Sequence, residues 1–500
     1  MRVVQNPQMQ IGEVDISQIK FDPKSRDDIP KILKGLQHLY MNLPLRAQIF
    51  QLLETEISPN VDKRNGRPGM TLWSIFVCGV VRLDLNCDYD RLHGLVNHYD
   101  TIREMLGHGE FDKLPYNFQT LKDNVSLMTP ELLDKINQLI VSAGHVVLKK
   151  KESEALRGRC DSFVVETDVH YPTDINLLYD AMRKVIVLTA QWCDRREVSD
   201  WRQHAYNVRH VKRLMRTAQN RKRSKAQSEA QQQKNAALIV AAHREYLDVA
   251  EHYLTKAQAT LAMFSQQGFT SEIDILAKLE IEGFMQHATR QIDQTKRRVI
   301  HGESIPHADK VFSIFEPHTE WISKGKAGVP VELGVKVCIL EDQHRFILHH
   351  RVMEKSTDDQ VTVSMVTEAQ KRFPGLNACS FDKGFHSPEN QVILKEQLEL
   401  AVLPRKGKLS QQAQAIEQSE EFIKARRAHS AVESAINALE VHGLDMCPDH
   451  GIGGFKRYVA LAVVARNIHR IGAILWQQEQ EREQRKKKCV DHGPPYKRAA

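Results

Sequence analysis

The stretch CDSFVVETDVHYPTD, residues 160–174, decides how the chain is read. Its first half, DSFVVET, has the β-branched and aromatic residues of a buried strand. Yet Asp161 and Glu166 lie within it, and Asp168 and Asp174 follow closely. Taking an unpaired carboxylate out of water costs several kcal/mol, so an acid on such a strand needs a partner or a cation. At least one of the four is expected to have a chemical use.

The whole chain has 500 residues, room for about three domains, and its 41% hydrophobic and 27% charged residues are those of an ordinary water-soluble protein. The N-terminus MRVVQNPQMQ lacks the apolar stretch of a secretory signal, and no unbroken apolar run approaches the roughly 18 residues of a membrane span. The expected location is therefore the cytoplasm, with association to the nucleoid when DNA is bound. Eight cysteines are scattered without a close pair, which excludes a disulfide framework and a zinc knuckle. A formal net charge of +7 leans mildly toward polyanionic partners.

Upstream of the opening strand, residues 1–150 read as helical. Ile32, Leu33, Leu36, Leu39 and Tyr40 recur at helical spacing, and NGRPGMT (residues 65–71) punctuates the chain. Three short helical patterns follow, Leu72 to Leu83, Tyr89 to His98 and Thr101 to Leu106, compatible with a helix-turn-helix module for DNA or with a plain helical bundle. Thr129-Pro130 opens a further helix that is expected to run to Ala143 and close at Gly144.

Residues 151–174 supply the first strand, and residues 175–305 contain no proline and read as a helical insertion. Within it, VRHVKRLMRTAQNRKRSKAQSEAQQQK is either a nucleic-acid face or solvated surface. From residue 306 to 445 strands reappear in VFSIF, VELGVKVCIL, RFILHHRV, ACSF and LELAVLP, with helices from Asp358 to Phe373, from Ser387-Pro388-Glu389 onward, and from about Gln414 to Leu439. Residues 446–480 hold a buried C-terminal helix and residues 481–500 a basic tail expected to be disordered. The fold class expected is α+β: a mixed sheet flanked by helices, with a helical N-terminal region and a long helical insertion.

Two further acids join the first. Asp382 ends a strand in SFDKGFHSPEN, where a metal ligand or a turn-forming aspartate would sit, and Glu433 stands among Ala431, Val432, Ala435 and Ile436, a setting less usual for a solvated helix acid. Carboxylates gathered at one sheet edge repel unless a cation neutralises them, and oxygen-only ligands point to Mg2+ or Mn2+. Two such ions about 3.5–4 Å apart suit phosphodiester chemistry. Lys324 and Lys326 in SKGKAG, with Arg405, Lys406 and Lys408 in PRKGK, are loop cations placed either for a DNA backbone or for solubility. His349-His350 has no third nitrogen or sulfur ligand at zinc spacing and reads as structural or exposed.

Taken together, DSFVVETDVHYPTDINLL, FSIFEPHTEWISKGKAGVPVELGVKV, SFDKGFHSPEN and RRAHSAVESAINALEVHGLD resemble the DDE insertion-sequence transposases of the ISNCY-type group. The resemblance covers most of the chain and implies an RNase H-like catalytic domain that cleaves DNA at transposon ends and transfers the strands. It implies Asp161, Asp382 and Glu433 as the catalytic, metal-holding acids, with Asp168 ranked behind Asp161; Glu166 reads as an acid supporting that site or, preferably, a surface strand residue, and Asp174, ahead of an apolar helical pattern, as a helix cap. The implied partners are double-stranded DNA, in terminal inverted repeats and in the target, and at least one further copy of the chain. Where related transposases carry Tyr, Arg and Lys around the catalytic Glu, this chain has Arg426, His429 and Glu440. The readings that compete are an RNase H-like nuclease, an inactive protein that binds transposon ends, and a non-enzymatic helical scaffold.

Overall fold

The computed structural model describes residues 2–6, 8, 9, 11–22, 25–57, 69–112, 114–222, 228–269, 271–323, 330–407 and 409–491. In chain order the elements are α1 (Ile29–Met41), α2 (Leu43–Ile57), α3 (Leu72–Asp84), α4 (Tyr89–His98), α5 (Asp100–Met105), α6 (Phe118–Val125), α7 (Pro130–Val147), β1 (Leu156–Thr167), α8 (Asp174–Arg195), α9 (His204–Lys222), α10 (Glu229–Gln267) and α11 (Glu272–Thr295). After these come β2 (Glu320–Ser323), β3 (Val331–Asp342), β4 (Ile347–Met353), α12 (Asp358–Arg372), β5 (Leu376–Phe381), α13 (Pro388–Gln397), β6 (Leu400–Val402), α14 (Gln411–Glu417), α15 (Glu420–His429), α16 (Ala431–Leu439), β7 (Met446–Cys447) and α17 (Gly451–Asp491). The chain is α+β and forms two compact units, one of Met1–Asp168 with Ile322–Ala500, the other of Val169–Trp321.

The first unit is built on a seven-stranded mixed sheet of order β2-β3-β1-β5-β6, with β4 paired to β3 and β7 to β1. β1 is antiparallel to β3 and parallel to β5, and β5 is parallel to β6. Both faces of β1 are covered, which is why DSFVVET lacks the clean alternation of a half-exposed strand. VFSIF, expected as a strand, forms none. The Ser313 hydroxyl accepts N–H bonds from Phe315 (3.2 Å) and Glu316 (2.9 Å) and folds the segment into a turn instead.

The N-terminal helices share one hydrophobic core with this sheet and with α17. All thirteen residues of α3 are buried, so that helix has no exposed face to lay on DNA, whereas α4 and α5 keep exposed sides. α7 starts as expected, with Thr129 accepting the Leu132 N–H at 3.2 Å, but continues through Gly144 to Val147. Gly144 serves space rather than termination: a Cβ there would lie 2.3 Å from the Phe346 ring. A buried amide cluster fixes α7, β4 and α17 to one another, Asn467 donating to Asn137 Oδ1 (2.7 Å) and to the Ile347 carbonyl (3.0 Å) while accepting the Ile347 N–H (3.0 Å).

By length and composition α17 is apolar enough over Gly451–Arg485 to cross a membrane, but most of its apolar window is buried inside the unit, at Phe455, Val459, Leu461, Val463, Ile468 and Ile471 among others. The helix runs on to Asp491, through residues expected to be disordered from 481, because the Glu, Gln, Arg and Lys there are good helix formers. Residues 492–500 lie outside the described residues. The single helix expected from Gln414 to Leu439 is three. The Ser419 hydroxyl caps a new start by accepting the Phe422 N–H, and the Ser430 hydroxyl turns back onto the Arg427 carbonyl at 3.0 Å.

The second unit packs α8 to α11 around Trp192, Trp201, Tyr246 and Phe264. Trp192 Nε1 and Arg196 both donate to the buried Asp274, at 2.8 and 2.6 Å. α8 is capped by Thr173, not by Asp174; the latter stands in its first turn and pairs with Arg298 at 2.8 Å. On α9 the apolar Val211, Leu214, Met215 and Ala218 face inward, leaving Arg209, Lys212, Arg213 and Arg216 on a continuous exposed basic face.

α1 crosses α17 at glycines: a Cβ on Gly472 would fall 1.9 Å from the Lys31 carbonyl oxygen, and one on Gly35 2.4 Å from that of Ile468. In an open helix Gly→Ala stabilises by roughly 0.5–1 kcal/mol. At this crossing the sign is expected to reverse, and Gly472→Ala should lower the stability seen by urea unfolding by about 1–3 kcal/mol. Unchanged or increased stability would mean that the two backbones are not in contact.

Candidate active site

The site follows from strand register. β1 and β5 run parallel with Cys160 opposite Phe381, so the next residues along the two strands are Asp161 and Asp382. The backbone of Asp382 is still extended, at φ −77° and ψ 164°. Neighbouring parallel strands lie about 4.8 Å apart and in-register residues point to the same face, so two carboxylates leave the sheet side by side. α16 packs against β1 and brings Glu433 to the same place. Asp161 is half-buried, whereas Asp382 and Glu433 are exposed.

Electrostatics ties the three together. Burial pushes the Asp161 carboxyl up to about 6, a hydrogen bond from the Ser162 N–H to Oδ1 (2.7 Å) opposes this, and the negative charges of Asp382, Asp358 and Glu433 raise it further. Asp161 thus lies in the field of both other acids that the sequence singles out. The side-chain donors that the three acids offer are all oxygen. That is the donor set for Mg2+ or Mn2+, with Asp161, Asp382 and Glu433 as the residues that would hold it.

Asp358 is the acid that sequence reading missed. It opens α12, and its oxygens accept bonds from the Ser162 hydroxyl (2.7 Å) and from Lys336 Nζ (3.1 Å). It also abuts the turn after Asp382, where a Cβ on Gly384 would lie 3.1 Å from Asp358 Oδ2. In sequence, Asp358 and Asp359 look like ordinary first-turn acids of a capped helix, and Thr357 with Gln360 does form such a box. The usable signal was the alternation on β3, which sets Lys336 on a half-buried strand position in need of a counter-ion.

Around the acids stands a ring of polar groups. His429, at the end of α15, shares a hydrogen bond with the Ser380 hydroxyl through Nδ1 at 3.0 Å, and its Nε2 is buried with no hydrogen-bond partner among the described residues. Burial holds its pKa below the ordinary histidine value, against the pull of Asp382 and Glu433, so the ring is neutral at pH 7. Lys406 is exposed and donates to the Gly384 carbonyl at 3.0 Å, which sets it on the Asp382 turn, while Arg405 is half-buried beside it. Arg426 and Arg427 are exposed on α15. Lys324, Lys326 and Lys408 lie outside the described residues.

The remaining sequence candidates fall elsewhere. Asp168 is exposed beyond the far end of β1, and Glu166 is half-buried opposite Met446. His349 is buried and contacts Arg372 Nη1 through Nδ1 at 2.9 Å, a packing role. No family model, curated protein or solved structure matches this chain.

The crowding of acids has a measurable sign. In the native protein Asp161 keeps its proton up to about pH 6, whereas an unfolded aspartate releases it near 3.9, so between those values the native state binds more protons. Stability should therefore fall as pH rises from about 4 to about 6, by up to roughly 3 kcal/mol from this group. Removing two like charges in the Asp382→Asn, Glu433→Gln double variant should lower the Asp161 midpoint and shrink that fall. Carbon-13 carboxyl titration and urea unfolding across this range measure both, and an Asp161 midpoint that the double variant leaves unmoved excludes the coupling.

Proposed function

We propose that this chain is a DDE-type transposase, cutting DNA at transposon ends and joining the ends to a target with an RNase H-like catalytic domain. The observation that supports the reading is the charge of Asp382 and Glu433 acting on the Asp161 carboxyl, which stands on β1 next to the pair Cys160–Phe381 that precedes Asp382 on the parallel neighbour. A mixed sheet with acids on its central strand, on that strand's parallel neighbour and on a covering helix supports the RNase H-like assignment.

Each residue has a role that its environment fits. Asp161, Asp382 and Glu433 hold the divalent ions. Bound there, those ions would ionise the attacking water or 3′-hydroxyl and offset charge on the phosphodiester. Asp161 is fixed by the Ser162 N–H, so its carboxylate is oriented before substrate arrives. Lys406, Arg426 and Arg427, exposed and cationic, bind backbone phosphates, and Arg405 supports the same loop. Asp358 is neutralised by Lys336 and positions the Asp382 turn. Neither Ser162 nor Ser380 is set up as a nucleophile: the first is bonded to Asp358, the second to His429, and neither pairing is aimed at an open face by a general base with its own orienting acid. The DNA partners are the terminal repeats and the target, brought together by at least two copies of the chain.

Asp382→Asn should reduce Mg2+-dependent cleavage of a labelled transposon-end duplex by more than about a hundredfold while leaving its retention in a gel-shift assay largely intact. Cleavage at the original rate by that variant would remove the assignment.

A further inference from the structure

A second cluster of ligand-type side chains lies away from the acids, in the helical half of the same unit. Asp84 at the end of α3, His442 in the turn that closes α16, and His469 in the middle of α17 each offer a ligand atom, and the three atoms lie within 4.8 Å of one another. His469 Nδ1 is 2.9 and 3.1 Å from the two carboxylate oxygens of Asp84. His442 Nδ1 is 4.0 Å from Asp84 Oδ1 and also contacts the Asp84 carbonyl oxygen. The imidazole rings face each other with centroids 5.1 Å apart. The side chain of Asp84 is 0% exposed, that of His469 9% and that of His442 13%.

We infer that Asp84, His442 and His469 form a binding site for one Zn2+-class transition-metal ion. Two imidazoles and one carboxylate are a donor set for such ions and not for Mg2+. Ligands about 2.0–2.1 Å from a tetrahedral centre are about 3.4 Å apart, so the observed separations bracket the required edge and small side-chain adjustments close the site. Burial adds to the case, since the Asp84 carboxylate is wholly enclosed and a dication answers its charge directly. Arg466, which also feels the charge of Asp84, is engaged more strongly by Glu341. Asp28, at the start of α1, interacts electrostatically with both rings and pairs with Lys31 at 2.7 Å, so the fourth position belongs to water or to Asp28 in exchange for that pair.

The site joins three elements remote in sequence, one of which follows directly from the helix carrying Glu433. Its role is therefore structural: it anchors the end of α16 to the helical core, independently of whether the acids cut DNA.

The test uses the full chain, stripped with a chelator and titrated with Zn2+ or Co2+ alone. One equivalent of Zn2+ per chain should bind and raise Tm by several degrees, and Co2+ should give the visible ligand-field bands of a low-symmetry, nitrogen-containing site. The His442→Gln, His469→Gln double variant should lose both, whereas Asp161→Asn with Asp382→Asn should keep both, which separates this ion from any held by the acids. Less than one equivalent bound, no Co2+ bands in the unsubstituted protein, or equal binding by the double histidine variant overturns the site. The Co2+ spectrum of the unsubstituted chain decides the matter even if the variants fail to fold.

Discussion

Everything at the candidate site depends on the parallel pairing of β1 with β5. A parallel pair places in-register side chains on a common face, and the register that sets Cys160 opposite Phe381 forces the two following aspartates out together. A slip by one residue would carry Asp161 to the opposite face and leave Asp382 beside a serine. The register is held from both sides: Leu156, Cys160, Cys338, Cys379 and Phe381 fill the core beneath it, and nine consecutive β1–β3 pairs fix the strand against its antiparallel neighbour. Cys160 and Cys338 are free thiols with their sulfurs 3.4 Å apart, two small buried groups that let the strands approach closely.

The helices of the first unit are a second condition for the same geometry. Glu433 belongs to no strand, so its position is only as good as the anchoring of α16. That helix buries Val432, Ala435 and Leu439, and its far end is tied down through Gly443, whose carbonyl accepts from Tyr458 on α17 at 3.1 Å. α17 is in turn locked by the Asn467 amide cluster and by the glycine crossing with α1. Arg82 on α3 reaches Asp449, just before α17, in a buried two-toothed pair at 2.7 and 3.2 Å. The N-terminal helices therefore act, within this unit, as the abutment for the third acid.

How much of this was legible in the sequence differs by element for physical reasons. Long periodic segments announced themselves: β3 and α12 appear almost where their patterns put them, because packing there agrees with local propensity. Local punctuation was less reliable. Gly144 resembled a helix stop but answers to the Phe346 ring, a constraint from a residue two hundred positions away that no local rule contains. VFSIF had strand composition, and one serine hydroxyl outweighed it. Asp161 drew attention because a charge on a buried strand is costly and therefore informative, whereas Asp382 and Glu433, both exposed, were singled out by their sequence settings and by the resemblance. Asp358 was not, since at a helix start an aspartate is what the backbone itself favours.

Charge balance gives the fourth acid its meaning. Asp358 is closed off by Lys336 and Ser162, so it adds little net charge to the cavity although it raises the Asp161 carboxyl. Asp161, Asp382 and Glu433 contribute three carboxylates, and a phosphodiester brings one more negative charge. On the reading proposed, two divalent cations neutralise that sum, with none in excess to trap the product and none in deficit to repel the substrate. His429, neutral because it is buried, stays out of this sum while filling the space between Ser380 and the acids. The charge of Arg159 lowers the pKa of that ring, against the opposing pull of Asp382 and Glu433. On the reading proposed, the cations of the site come from solution rather than from the His429 side chain.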